Sequence, residues 1–323
     1  MEWLIPVIII GAAALIIIVI AVLLSNLITK MLFEEALLRE EPAILKKLNL
    51  NLSGSSSGDI VYERTDEAAG TLEAAVKERI EIKSRDGVDL VGHWYPADDP
   101  KRVIVAVHGW RSRWSIDFFG ISSFWHDNGC SVLYVEQRGQ NASGGSNMGF
   151  GLLERFDVLD WLSWLNQNKK SDLPIYICGV SMGSATVLMA SGMGIPENVH
   201  GIIADCGFTS ARAIWEHIAE DNLHLSYKIR DKKIDKMCKK LTGYGSDEYS
   251  TLKAMESNTT PVLFIHGSSD TFVPISMTYE NYLACKAPKR ILVVPGAEHA
   301  VCCIVDKDGY KKALKEFFEE FDN

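Results

Sequence analysis

The sequence has no paired-cysteine spacing. Its seven cysteines are scattered, and only Cys302 and Cys303 are neighbours. An odd count without regular spacing argues against a disulfide framework, and the missing CxxC pair argues against zinc held that way. Cys178 and Cys206 lie inside apolar runs and read as buried thiols, so a reducing compartment is expected. Positive charge is in deficit too: 33 Lys and Arg face 42 Asp and Glu, a net charge of −9. Phosphate binding needs a basic face, so nucleic acid is not an expected partner. There is no internal repeat. No Lys or Arg precedes Lys30, and the first long apolar run lacks an A-x-A site behind it. Those absences argue against a cleaved secretory signal.

The run itself is "WLIPVIIIGAAALIIIVIAVLL", Trp3 to Leu24, without a charge. About 20 apolar residues suffice to cross a bilayer as a helix. The expectation is a single transmembrane anchor over residues 1–30, with the membrane as partner through this helix. Lys30, Arg39, Lys46 and Lys47 follow it, which places the bulk of the chain in the cytoplasm by the positive-inside rule. Residues 31–75 are expected to be a juxtamembrane helix, Met31 to Leu52, followed by the flexible stretch "NLSGSSSGD", Asn51 to Asp59. Residues 76–323 form the expected catalytic domain.

From Val76 the pattern turns to strands. "VKERIEIKS" and "VDLVGHWYP" alternate apolar and polar residues around the turn "RDG", as a β-hairpin does. "RVIVAVHG", "CSVLYVE", "PIYICG", "GIIADC", "PVLFIHG" and "RILVVPG" are continuous apolar runs, as expected of strands buried on both faces. Segments with helical spacing lie between them, such as "LLERFDVLDWLSWLNQN" with Leu153, Phe156, Leu159, Leu162 and Leu165. Strands alternating with helices predict an α/β fold around a mostly parallel, eight-stranded sheet.

"YICGVSMGSA" sets Ser181 between Gly179 and Gly183 just past a buried strand. A serine hydroxyl becomes a useful nucleophile only beside a base and on an exposed turn. The G-x-S-x-G pattern between strand and helix supplies that turn. Asp270, in "HGSSDTFVP", and His299, in "GAEHA", follow later strands in the order this arrangement needs. His299 is the expected base, and Asp270 the acid that orients it. The oxyanion of an acyl-transfer transition state needs N–H donors. Met182, directly after Ser181, and Trp110, in "VHGWRSR", are the expected donors, with His108 bracing that loop rather than moving protons.

These residues resemble the α/β-hydrolase family, most nearly its bacterial serine aminopeptidase-like or lysophospholipase-like branch. The resemblance spans about Val76 to Phe321 and rests on "VHGW", "EQRGQNASGG", "GVSMGSAT", "HGSSDTFVP" and "GAEHA". Glu136, Arg138, Gly139 and Gln140 stand where the branch usually carries Asp-x-Arg-Gly-His; that loop is not catalytic in the family. Arg155 and Asp157 are expected to be structural. The resemblance implies hydrolysis of an ester, thioester or amide through an acyl-serine, with neither metal nor organic cofactor. It also implies that the excursion at about 209–258 is a small helical lid. Within it, "KIRDKKIDKMCKKL" places Ile234, Met237, Cys238 and Leu241 on one face and seven Lys or Arg mostly elsewhere. That basic face is either simply solvated or meets anionic lipid head groups. His93, His126, His200, His217 and His224 read as surface or helix residues. Trp161 and Trp164 read as packing. Trp114, Phe118 and Phe119 line an acyl pocket or the core. The expected function is a membrane-anchored serine hydrolase of acyl esters, with lipid-derived esters as candidates because of the anchor, and with a peptidase or amidase of the same fold or a non-catalytic binding protein as the alternatives.

Overall fold

The computed structural model describes residues 4–40, 59–76, 78–169 and 172–322. The chain divides into two units, Met1–Leu52 and Ser53–Asn323. In the first, α1 (Leu4–Leu37) is one unbroken helix of 34 residues. At 1.5 Å per residue it is about 50 Å long, more than the hydrocarbon thickness of a bilayer. It continues past residue 30, the expected end of the anchor. Residues 41–58, which include most of the expected linker, lie outside the described residues.

The second unit opens with α2 (Asp59–Ala75). Its Leu72 is buried in a core cluster of the sheet. Glu73 accepts a hydrogen bond from Ser115, and Asp66 pairs with Arg113. The domain therefore begins earlier than residue 76, where sequence alone put it. Eight strands follow: β1 (Glu78–Lys83), β2 (Asp89–Tyr95), β3 (Arg102–Val107), β4 (Cys130–Val135), β5 (Ile175–Val180), β6 (Val199–Asp205), β7 (Val262–Gly267) and β8 (Lys289–Val294). They form one sheet in the order β1-β2-β4-β3-β5-β6-β7-β8. The β1–β2 and β2–β4 pairs are antiparallel, and every later pair is parallel.

The continuous apolar runs are explained by the two faces they serve. Side chains alternate across a strand. Val103, Val105 and Val107 join one cluster with α4 (Glu154–Asn168), α5 (Met182–Ser191) and α8 (Thr251–Ser257). Ile104 and Ala106 join the other with α3 (Trp114–Asp127) and α11 (Lys307–Phe321). Trp114 and Phe118 belong to that second cluster, so they are core rather than pocket lining. His93 is interior as well: it bonds Glu136 at 2.7 Å and stacks on Trp114 at 4.6 Å. His126 lies between the Cys130 carbonyl and the Tyr134 hydroxyl, each at 3.2 Å. Asp157 forms a buried pair with Arg138, and Arg155 stacks over Tyr249 at 4.3 Å.

The excursion holds α6 (Ala211–His217), a π-helical turn (Ile218–Asn222), α7 (Asp231–Thr242) and α8. Ser210 caps α6 and Ser250 caps α8, each side chain accepting a backbone N–H three residues on. Ala254 and Met255 of α8 are core residues, so α8 belongs to the central layer and the expected lid is shorter than 209–258. On α7, Ile234 and Cys238 face inward while Leu241 is exposed, against the expected face. The remaining helices are α9 (Ile275–Ala284) and α10 (Cys302–Val305).

Trp161 ties α4 to the sheet. Its ring lies where a Cβ on Gly92 of β2 would sit, 2.9 Å away. Trp161→Ala should lower stability by about 3–5 kcal/mol, read from chemical denaturation followed by near-ultraviolet circular dichroism.

Candidate active site

β5 ends and α5 begins at Ser181, with φ 54° and ψ −117°. A non-glycine residue there stores roughly 1–3 kcal/mol of backbone strain. The two flanking glycines allow it. A Cβ on Gly179 would lie 2.2 Å from the Gly183 carbonyl oxygen, and one on Gly183 would lie 2.0 Å from that of Val107. Either contact is far inside van der Waals range. The turn is fixed further by Ser181 N–H donating to the Asp205 carbonyl at 2.9 Å and Ala185 N–H donating to the Ser181 carbonyl at 3.1 Å.

The loops after β7 and β8 bring the other two expected residues to this serine. Gly267 ends β7; a Cβ there would lie 2.2 Å from the Ala297 carbonyl oxygen. That close approach seats the β8 loop on the β7 loop, with Ser269 N–H donating to Ala297 at 2.9 Å. His299 Nε2 is then 2.9 Å from Ser181 Oγ, and its Nδ1 is 2.7 Å from Asp270 Oδ2. With Nδ1 donating to the carboxylate, Nε2 carries a lone pair toward the hydroxyl. That is the tautomer a general base needs.

Asp270 takes four donors. Oδ1 accepts the N–H groups of Phe272 and Val273 at 3.0 and 2.9 Å. Oδ2 accepts from His299 and, at 3.1 Å, from Nε2 of His266. Burial alone would raise its pKa, but the bonds from His266 and His299, with the charge of His299 and the Val273 N–H, hold it well below the usual carboxylate range. His266 is buried; its Nε2 also reaches the Val273 carbonyl at 2.9 Å, and its Nδ1 accepts from Thr278 Oγ1 at 2.7 Å. Motif reading passed over this residue. Its signal is a polar side chain inside the apolar run "PVLFIHG", which must find partners when buried.

Met182 is the first residue of α5, where backbone N–H groups have no helical acceptor. Trp110 follows Gly109, and a Cβ on Gly109 would sit 3.3 Å from that of Ser181. The loop is held against the serine by Asp117, which accepts from Gly109 N–H and Ser112 Oγ, both at 2.6 Å. His108 Nδ1 donates to the Gly109 carbonyl at 2.8 Å and its Nε2 accepts from Gln137 N–H at 3.1 Å. Burial lowers the His108 pKa and raises that of Asp117. With both ring nitrogens committed, His108 braces the loop. Beside it an aromatic wall continues: Phe150 lies 6.3 Å from Trp110, 5.9 Å from Phe208 and 5.2 Å from Trp215, between ring centres.

Cys206 follows β6 at φ 46°. Its thiol and one ligand atom each of Asp270 and His299 lie within 4.8 Å of one another. An ion there would take atoms that now hold the histidine on its acid. Asp205, one residue earlier, is fully buried and accepts from the Tyr310 hydroxyl at 3.1 Å. Burial pushes its carboxyl up to about 6. An acid raised this way keeps its proton longer when folded than when unfolded. Stability therefore falls as pH rises from about 4, the ordinary value, to about 6, and stays lower above that. Asp205→Asn should raise the Tm at pH 8 relative to the unsubstituted protein, with the difference closing as the pH approaches 4.

A sequence model of the prolyl oligopeptidase family matches residues 116–321. Protein YqkD of Bacillus subtilis is 26% identical over 291 residues, 87% of this chain and 92% of that protein. Among solved structures, an esterase from Pyrococcus furiosus superposes with a TM-score of 0.64 at 22% identity, covering 78% of this chain and 94% of its own. The acylaminoacyl peptidase of Pyrococcus horikoshii gives a TM-score of 0.56 at 18% identity, over 78% of this chain and 43% of its own. At these identities the solved structures establish a common fold.

Proposed function

Because the chain belongs to the prolyl oligopeptidase family of α/β-hydrolases, we propose that it is a serine hydrolase that cleaves acyl esters through an acyl-serine at Ser181. The observation that carries this reading is the unbroken relay from Ser181 Oγ to His299 to Asp270, at 2.9 and 2.7 Å. In the first half-reaction, Ser181 Oγ attacks the acyl carbonyl while its proton passes to His299 Nε2. Asp270, ionised and fully hydrogen-bonded, stabilises the imidazolium that forms. The N–H groups of Met182 and Trp110 receive the oxyanion. His299 then protonates the departing alcohol, and water releases the acyl group by the same steps reversed. The aromatic cluster of Phe150, Phe208 and Trp215 packed behind the Trp110 loop supports an apolar acyl group over a charged one.

A peptidase reading draws on the family description and on the acylaminoacyl peptidase likeness. It ranks second because the sequence offers no acidic cluster to hold a substrate's amino terminus. We place α1 as an anchor in the cell membrane with the catalytic unit in the cytoplasm. That placement draws on Lys30, Arg39, Lys46 and Lys47, which follow the helix in the sequence, and on seven free thiols.

A fluorophosphonate probe should label the protein, and Ser181→Ala should abolish labelling and lower ester hydrolysis by about 10⁴-fold or more. No labelling of the unsubstituted protein would favour a binding protein. On p-nitrophenyl esters of rising chain length, activity should exceed that on aminoacyl anilides; the opposite order would favour the peptidase. His266 is a positioning residue. A hydrogen bond to a charged group contributes roughly 1.5–3 kcal/mol, so His266→Phe should lower kcat by roughly 10- to 100-fold with KM little changed. His266→Gln, which still donates to Asp270, should recover most of that loss.

A further inference from the structure

The stretch around α7 departs from the acidic character of the rest of the chain. Between Lys228 and Lys240 there are seven Lys or Arg and two Asp, in a protein of net charge −9. The two acids turn inward. Asp231 pairs with Arg212 at 3.1 Å. Asp235 accepts from the backbone N–H and the hydroxyl of Ser246, at 2.8 and 2.9 Å. Lys232, Lys236 and Lys240 recur every four residues on one exposed stripe of α7, with Lys239 beside it and Lys228 exposed in the turn before the helix. None of these five forms an ion pair among the described residues. Like charges four apart on a helix repel one another, so the stripe is not a stabilising device of the helix itself. Its inward face is already satisfied by the buried Ile234, Cys238 and Thr242. Apolar side chains flank the stripe at both ends: Ile229 is 81% exposed and Leu241 36%.

We propose that this face docks on an anionic lipid surface, its lysines meeting head-group phosphates and Ile229 and Leu241 entering the boundary between head groups and acyl chains. Each basic residue adds to the attraction toward such a surface, and salt weakens it. A soluble acidic protein would meet the same charge, but the exposed apolar ends suit a bilayer interface better. The face belongs to the excursion that borders the candidate site. In that excursion, Trp215 packs on Phe150 and His217 bonds the Thr271 carbonyl, next to Asp270, at 3.0 Å. Docking here brings the site's border to the lipid surface. The proposal does not require the hydrolase reading, and its test is read without activity.

The full chain is placed in lipid nanodiscs of phosphatidylcholine alone or with added phosphatidylglycerol, and amide hydrogen exchange is followed over residues 228–241. The expected result is exchange several-fold slower in the anionic discs, reversed by added salt. The K232E/K236E/K239E/K240E variant should lose that protection, and the milder K232Q/K236Q variant should lose part of it. Exchange that is equal in the two kinds of disc, or protection kept by both variants, overturns the proposal. Protection by soluble heparin but not by the anionic discs also overturns it and assigns the face to a polyelectrolyte. Fluorophosphonate labelling of the same variants in detergent reports separately on the hydrolase reading.

Discussion

The backbone approach between β3 and the start of α5 leaves no room for a single extra carbon. Parallel pairing sets Val107 opposite Gly179, and the Val107 carbonyl lies where a Cβ on Gly183 would have to be. The helix can begin there only if it packs this closely on the strand. Every residue of α5 is buried, so packing energy over the whole helix holds the strained serine in place. The strain is local, at one φ of 54°, while the compensation is spread over ten residues. This is how a hydroxyl comes to stand at a strand end facing the His299 imidazole rather than folded back onto its own backbone.

Around that turn lie two buried carboxyls whose protons behave in opposite ways. Asp270 is held well below the ordinary range and Asp205 is raised above it. Both pay desolvation, so burial does not distinguish them. The number of donors does. Asp270 receives two backbone N–H groups and two imidazoles, whereas the Asp205 side chain receives the Tyr310 hydroxyl. A carboxylate saturated with donors stays charged in a dry site and can stabilise an imidazolium. A buried carboxyl with fewer and weaker donors keeps its proton more readily. His266 and the N–H groups of the β7 loop thus keep the Asp270 carboxylate charged in its buried position.

The excursion between β6 and β7 adds the parts that the sheet cannot. Trp215 completes the aromatic wall beside the loop of Gly109 and Trp110, and α7 carries the lysine stripe. Its acids are spent on internal contacts with Arg212 and Ser246. Structural neighbours share the sheet and the order of its elements, at identities of 22% and below for the two compared. Substrate choice therefore rests on this chain's own side chains around the site.

Much of this architecture is legible along the chain, because strand burial and helix faces are periodic properties of single segments. The six apolar runs, the glycines around Ser181 and the later Asp270 and His299 follow from such local patterns. Other features are not local. The helix at Asp59–Ala75 has too few apolar residues to announce itself, and Leu72 is buried only because α3 lies beneath it. Leu241 shares the helical spacing of Ile234 and Cys238, but Thr242, four residues after Cys238, takes the buried position and Leu241 is left exposed. His266 and Asp117 matter through partners that other segments bring to them. Spacing along one segment fixes which side it buries; strand order and close backbone approaches decide which buried groups meet, and those depend on residues far apart in the chain.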